Sequence, residues 1–260
     1  MEFVPNAFGI VFLTFMKIIL LSEGTFTIDK TKQFVPFDEH RDKLQARPSG
    51  SLLVEIQPFL VITSKDILLL DTGLGFADKE GRMQIHTNLA KAGINANDVT
   101  KVLLTHLHKD HAGGVSEYID HSRLSFHQAA YYLQERELNF AFEKGYPSFI
   151  TEELAILKNS KQVVLLSGDN GIINDYIHYQ VTGAHSPHHQ VFWMKENEET
   201  VFFGGDDAPQ LKQMKHRFVA KYDFDGKKAM KLRHEWWEKG KKEKWTFLFY
   251  HDVKNPVLKF

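Results

Sequence analysis

A chain of 260 residues, 43% hydrophobic and 25% charged, can form one large α/β domain with a sizeable core or two small domains. Lysine and arginine number 32 against 33 acids, a formal net charge of -1, so composition offers no general attraction to nucleic acid or to an acidic membrane surface. The absence of cysteine excludes disulfides and thiolate ligands, so any metal must be held by histidine and carboxylate, the donors of a catalytic site rather than a thiolate-rich structural one.

Residues 7–21 are nearly all apolar and are interrupted by Lys17. They lack the basic lead and small-residue cleavage site of a secretory signal, and they are short for a membrane span. Residues 1–15 are therefore expected to be an N-terminal extension, with Met16 as the physiological start and 16–260 as a single domain. A cytoplasmic location is expected, with export or membrane association as the minority alternative. Residues 17–21 read as a first strand. Residues 24–29 alternate apolar and polar side chains, as a half-buried strand does. The charged, proline-punctuated stretch 34–48 reads as loop, and 51–62 and 66–70 as successive strands, the latter a continuous apolar run of buried type. Asp71-Thr72-Gly73-Leu74-Gly75 ends that run; on its own, a carboxylate before glycine is a turn former. A helix over 83–92, closed by Gly93, leads to a strand over 99–104.

That strand opens onto Thr105-His106-Leu107-His108-Lys109-Asp110-His111-Ala112-Gly113-Gly114. Three imidazoles and a carboxylate within six positions are natural ligands for zinc and similar divalent ions. His106 and His108 are two apart, so an extended backbone sends both to one face. Asp110 and His111 follow where strand turns to helix and can address a neighbouring spot. One loop thus serves two adjacent metal positions, and Ala112-Gly113-Gly114 leaves little bulk beside the ions.

Downstream, 128–144 has the spacing of a long amphipathic helix, with Tyr131, Tyr132, Phe140 and Phe142 as packing residues. A short helix over 151–158, capped by Thr151, follows. Strands over 163–166 and 177–181 lead to Thr182-Gly183-Ala184-His185-Ser186-Pro187-His188-His189, which repeats the pattern of a strand opening onto a histidine loop. A strand pair over 191–194 and 200–203 flanks a charged hairpin and ends in Gly204-Gly205-Asp206-Asp207-Ala208-Pro209. A helix over 225–240, packed down by Trp236 and Trp237, precedes a last strand over 245–250 that delivers His251. The order of strands then helix occurs twice, which suits two similar layers packed together.

Taken jointly over roughly residues 17–255, these stretches resemble the metallo-β-lactamase-fold hydrolases. His106-x-His108-x-Asp110-His111 matches that family's signature, and the other motifs follow in order. The resemblance implies a four-layer αβ/βα sandwich and two divalent ions per chain, zinc first, with manganese, iron or cobalt as alternatives. His106, His108 and His185 would hold one ion; Asp110, His111 and His251 the other; Asp206, rather than Asp207, would bridge them. Asp71, Thr105 and His189 would support the ligands from behind. A hydroxide between the ions would attack an ester-like bond in a small-molecule substrate, with Asp110 orienting the water and shuttling a proton. The stretch 182–189 departs from the family's usual third motif at Gly183-Ala184 and at His188, which is read as a bystander beside the pocket. The tyrosine that lactonases of this family place shortly after the bridging aspartate has no counterpart in Asp207-Ala208-Pro209-Gln210. The expected function is therefore a lactone, thioester or carboxylic ester hydrolase, with an N-acyl homoserine lactone lactonase as alternative and a phosphodiesterase or nuclease after that. Nucleic-acid binding and stable membrane association are not expected, and an oligomer is possible.

Overall fold

The structure, a computed structural model, describes residues 16–260. The expected extension over residues 1–15 lies outside the described residues. In chain order the strands are β1 Lys17–Leu20, β2 Gly24–Ile28, β3 Phe34–Pro36, β4 Leu52–Ile56, β5 Phe59–Ile62, β6 Ile67–Leu70, β7 Lys101–Leu103, β8 Ala130–Gln134, β9 Val163–Leu166, β10 Asn170–Ile173, β11 Ile177–Val181, β12 Gln190–Glu196, β13 Glu199–Phe203, β14 Thr246–Leu248 and β15 Val257–Lys259. The helices are α1 Gln84–Lys91, α2 Lys109–Ala112, α3 Glu135–Lys144, α4 Thr151–Leu154, α5 Leu211–Lys215 and α6 Gly226–Glu243.

Two six-stranded mixed sheets carry the fold, ordered β1-β5-β6-β7-β8-β9 and β10-β11-β12-β13-β14-β15, with a small sheet β3-β2-β4 beside them. Alternation along the strands sorts side chains into layers. From the first sheet, Phe59, Val61, Leu68, Leu70 and Leu103 face inward and meet Ile177, Phe192, Met194, Phe203 and Leu248 of the second. The intervening Leu60, Leu69 and Val102 face outward, where they pack with Ile85 and Leu89 of α1 and Leu138 and Ala141 of α3. On the far side, Val191, Phe202 and Phe247 pack with Met214 of α5 and Trp236 and Trp237 of α6. Burial on both faces explains why the strands read as apolar runs. The result is the expected α/β four-layer αβ/βα sandwich.

Several expectations are corrected in detail. The segment 128–144 is not one helix: β8 occupies its first part, parallel to β7 and β9, and α3 begins only at Glu135. Tyr131 and Leu133 pack outward and Tyr132 inward, an alternation too short to stand out beside the helical spacing of charges and aromatics that follows from Glu135. Thr151 is not a cap. Ile150 holds that position without a side-chain bond, and the turn tightens into a 3₁₀ helix over Ala155–Lys158. The stretch 34–48 is loop except for β3 and a 3₁₀ turn at Leu44–Ala46. β10, α5 and β15 are additions that sequence periodicity did not suggest. The β12–β13 hairpin closes on Asn197 and Glu198, both at positive φ (49° and 66°), as a two-residue turn of this twist requires.

Candidate metal centre

Five strand ends deliver the site. β6 leads to Asp71, β7 runs into the 104–108 segment and α2, β11 leads to the 182–189 loop, β13 to Gly204–Asp207, and β14 to Tyr250-His251. The first two of these loops pack backbone against backbone: Thr72 N–H donates to the His111 carbonyl at 2.7 Å and Gly113 N–H to that of Gly73 at 2.9 Å. A Cβ on Gly113 would collide with the Leu74 carbonyl, and one on Gly114 with that of Thr72. These glycines thus serve the contact between loops, not spare room beside the ions as the sequence suggested.

All seven residues expected as ligands converge. His106 Nε2 lies 2.9 Å from His108 Nδ1, and His185 Nε2 lies 3.2 Å from the same His108 atom. Asp206 Oδ2 is 3.1 Å from His185 Nε2, which completes a four-residue group. Asp110, His111 and His251 form the neighbouring one. Asp110 Oδ2 stands 3.7 Å from His111 Nε2 and 3.5 Å from His251 Nε2. The other oxygen of Asp206, Oδ1, points to this second group, 3.1 Å from His111 Nε2 and 2.9 Å from His251 Nε2. One carboxylate therefore spans both groups. His111 Nε2 and Asp206 Oδ1 are buried without a hydrogen bond, an arrangement that a cation between them would satisfy. The donor set, five imidazoles and two carboxylates, suits zinc and other divalent transition ions.

A further layer fixes the imidazoles. Asp71 accepts from Thr105 N–H and from Thr105 Oγ1, both at 2.8 Å, and lies 2.7 Å from His111 Nδ1. Thr105 Oγ1 in turn is 3.0 Å from His106 Nδ1. The ring of His189 accepts from Asp206 N–H at 3.2 Å, and its Nδ1 faces Asp207 at 3.0 Å. Such partners set tautomer and ring orientation. Sequence reasoning missed others of this kind. Asp223 holds His185 Nδ1 at 3.0 Å, and the Glu55 carbonyl holds His251 Nδ1 at 2.8 Å. Tyr250 stacks on His111 and donates to the Asp110 carbonyl at 2.5 Å. Asp207 accepts from His185 N–H, while Glu137 accepts from Leu107 N–H and Ser186 Oγ and so ties the two histidine loops together. Asp207 adjoins a recognised motif and was weighed as the bridge; Asp223 and Glu137 carry no local signal.

Burial and neighbouring imidazoles hold His106 and His108 well below the usual histidine range, so both are neutral and able to ligate. Burial opposes charge on His111, His185 and His251 as well, but the carboxylates around them, Asp206 foremost, with Asp110 and Asp71 beside His111, Asp223 beside His185 and Asp110 beside His251, together outweigh it, and their protons are held more tightly than usual. Asp206 itself is held well below the carboxylate range: burial favours its neutral form, and the surrounding imidazoles overcome that. An ion entering here would displace those protons.

The groups form the floor of a cavity of about 1000 Å³. Phe34, Leu52 and Val54 line one wall and the segment 216–222 the other. Arg233, buried, anchors that second wall by donating to the carbonyls of Asp207 and Phe218. Gln210 lines the cavity. Phe149 instead packs behind His108, 4.9 Å between ring centres, and His188 packs against Phe140. Tyr222, which no motif flagged, lines the cavity with its ring 6.1 Å from that of His185. Burial pushes its phenol up to about 12.

A family model, that of the metallo-beta-lactamase superfamily, matches residues 55–236. No curated protein matches the chain. Among solved structures, a probable metal-dependent hydrolase from Staphylococcus aureus is similar at TM-score 0.76 and 19% identity, over 96% of this chain and 94% of that one. AidC, a dizinc quorum-quenching lactonase, is similar at TM-score 0.70 and 19% identity, over 95% and 91%. The hydrolase AbOPH of the beta lactamase superfamily gives 0.71 and 22%, over 94% and 89%. At such identities these likenesses speak for the fold. The family match covers more than half of the residues, and with it the chain belongs to the metallo-beta-lactamase superfamily and shares the fold of its metal-dependent hydrolases.

Proposed function

We propose that this protein is a dinuclear metal-dependent hydrolase that cleaves an ester-like bond: a lactone, thioester or carboxylic ester. The observation that carries the reading is the division of Asp206, one oxygen to each of two histidine groups. His106, His108 and His185 would hold one ion, Asp110, His111 and His251 the other, and Asp206, with an oxygen towards each group, would serve both. Two divalent ions so placed supply an acidified water and a Lewis acid for a carbonyl oxygen. Asp110, anchored through its own carbonyl by Tyr250, orients the attacking water and carries a proton towards the leaving group.

A narrower reading, N-acyl homoserine lactone lactonase, gains support from Tyr222. Its hydroxyl accepts from Gln213 at 3.1 Å, which leaves its proton free to donate into the cavity towards a carbonyl oxygen. That phenol comes from a later part of the chain than the one in which lactonases keep theirs.

Metal analysis of the purified protein, paired with a panel of lactones, thioesters and phosphodiesters, tests both readings. About two ions per chain with lactone or ester turnover is the expected result. Phosphodiester turnover exceeding the others would overturn the substrate class, and a metal-free, inert protein would overturn the hydrolase.

A further inference from the structure

The net charge of -1 conceals a strong local imbalance. Six cations line the cavity: Lys30, Lys32, Lys109, Lys212, Arg217 and Lys221. Apart from Asp110 and Asp206 on the floor, Asp29 is the one carboxylate lining the cavity with them among the described residues, and Glu153 lies outside it near Lys109. None of the six forms an ion pair within 4 Å among the described residues, whereas Arg47, Lys65, Arg82 and Arg136 elsewhere on the surface each do. They come from separate parts of the chain, namely the turn after β2, the start of α2, α5 and the segment before α6, so the fold rather than a local basic run gathers them. Ile28, Leu44 and Leu52 interleave with them on one wall, Phe218 and Val219 on the other. Like charges left unpaired around a concave, partly apolar space raise the local concentration of anions and focus the potential inward.

We infer that the substrate is an amphipathic anion, whose carboxylate, phosphate or sulfate sits at the cavity rim, several atoms from the scissile carbonyl on the metal floor. This rests on the hydrolase reading above and narrows its substrate class. Lys32 and Lys221 hold the anionic group from opposite walls, and the apolar side chains take the carbon chain between rim and floor.

Two matched ester pairs test it, each with one scissile carbonyl and a charge on one member only. Mono-4-nitrophenyl glutarate against 4-nitrophenyl butyrate places the anion on the acyl side. S-butyryl-coenzyme A against S-butyryl-N-acetylcysteamine places it on the leaving group. In at least one pair the anionic member should have the higher kcat/KM by about tenfold or more at low salt, a gap of the size one well-placed charge contact gives. It should shrink in 0.5 M NaCl through screening, and in Lys32→Gln/Lys221→Gln. The Lys91→Gln control, on α1 outside the cavity, should keep it. Equal or better use of the neutral member in both pairs would overturn the inference. A readout independent of turnover compares 1-anilinonaphthalene-8-sulfonate with uncharged N-phenyl-1-naphthylamine by fluorescence titration. The sulfonate should bind about tenfold tighter to the native protein and lose that advantage in the double variant. No turnover of any ester by metal-loaded protein would sink the hydrolase reading, while the dye pair would still decide whether the rim selects anions.

Discussion

The floor and the rim of one cavity are built on opposite plans. On the floor, His111, His189, Asp71 and Asp207 are wholly buried; partners from other loops hold His111 Nδ1, His189 Nε2 and Asp71, while His111 Nε2 and Asp206 Oδ1 are left to face the candidate ion positions. At the rim, Phe218 is 42% exposed and Val219 48%, and the lysines reach into the cavity without an ion pair within 4 Å among the described residues. A site that must hold charged groups at fixed separations needs orienting partners behind each ligand. A surface that only attracts and guides can leave its side chains free. Arg233 joins the two, with one nitrogen on the Asp207 carbonyl of the floor and another on the Phe218 carbonyl of the rim.

Breaking the floor should cost most. Asp206→Ala removes the one group shared by both halves, and we expect loss of metal from both positions and a fall in kcat/KM of about a thousandfold or more, read by metal analysis and initial rates. Activity retained with two ions bound would mean that the carboxylate does not bridge.

The floor also has one unbalanced member beneath it. Glu23 is only 5% exposed; one oxygen accepts from Leu74 N–H, the other has no partner, and burial pushes its carboxyl up to about 7. The fold therefore favours its protonated form. That stability is fully present below the unfolded value of 4.5 and is lost as pH rises to about 7, a change of about 3 kcal/mol. Glu23→Gln should abolish this slope and raise stability at pH 8; urea unfolding of metal-free protein at pH 5 and pH 8 reads it. Identical slopes for both proteins would remove Glu23 as the cause.

Smaller effects sharpen the contrast. Asp223→Ala frees the His185 ring and should weaken zinc binding about 10- to 100-fold in chelator competition, with the neighbouring fold intact by circular dichroism. Tyr222→Phe should lower kcat about tenfold and leave metal content unchanged, since the hydroxyl bonds Gln213 and none of the seven candidate ligands, and the ring that packs beside His185 is kept. A drop in metal content instead would place Tyr222 with the floor.

The same contrast explains what was legible in the sequence. A floor ligand must stand at a strand end in a fixed local frame, so His106, His108, Asp110 and His111 announce themselves by spacing alone. His185, Asp206 and His251 follow once three more apolar runs are seen to end in His or Asp. Their supports are less regular: Asp71 sits in a motif, but Asp223 and Glu137 reach the site only through tertiary folding. The rim is invisible for a different reason. Its cations are scattered from Lys30 to Lys221, and a chain-wide balance of charge averages them away. The misread start of α3 has a local cause. Ala130–Gln134 alternates inward and outward within a window where charges and aromatics also satisfy a helical period, and only pairing with β7 and β9 decides between them.

His106, His108, Asp110 and His111 hang from the first sheet, whereas His185, Asp206 and His251 hang from the second. Ions held between them would act as rivets across the seam where the two layers meet. Cohesion of the layers then becomes a function of metal supply, because whatever binds only the native arrangement stabilises it by mass action. In metal-poor cells the consequence would reach beyond idle enzyme: the seam would open more often, expose the apolar face between the sheets, and hand the chain to proteases, so that abundance as well as activity would track the metal.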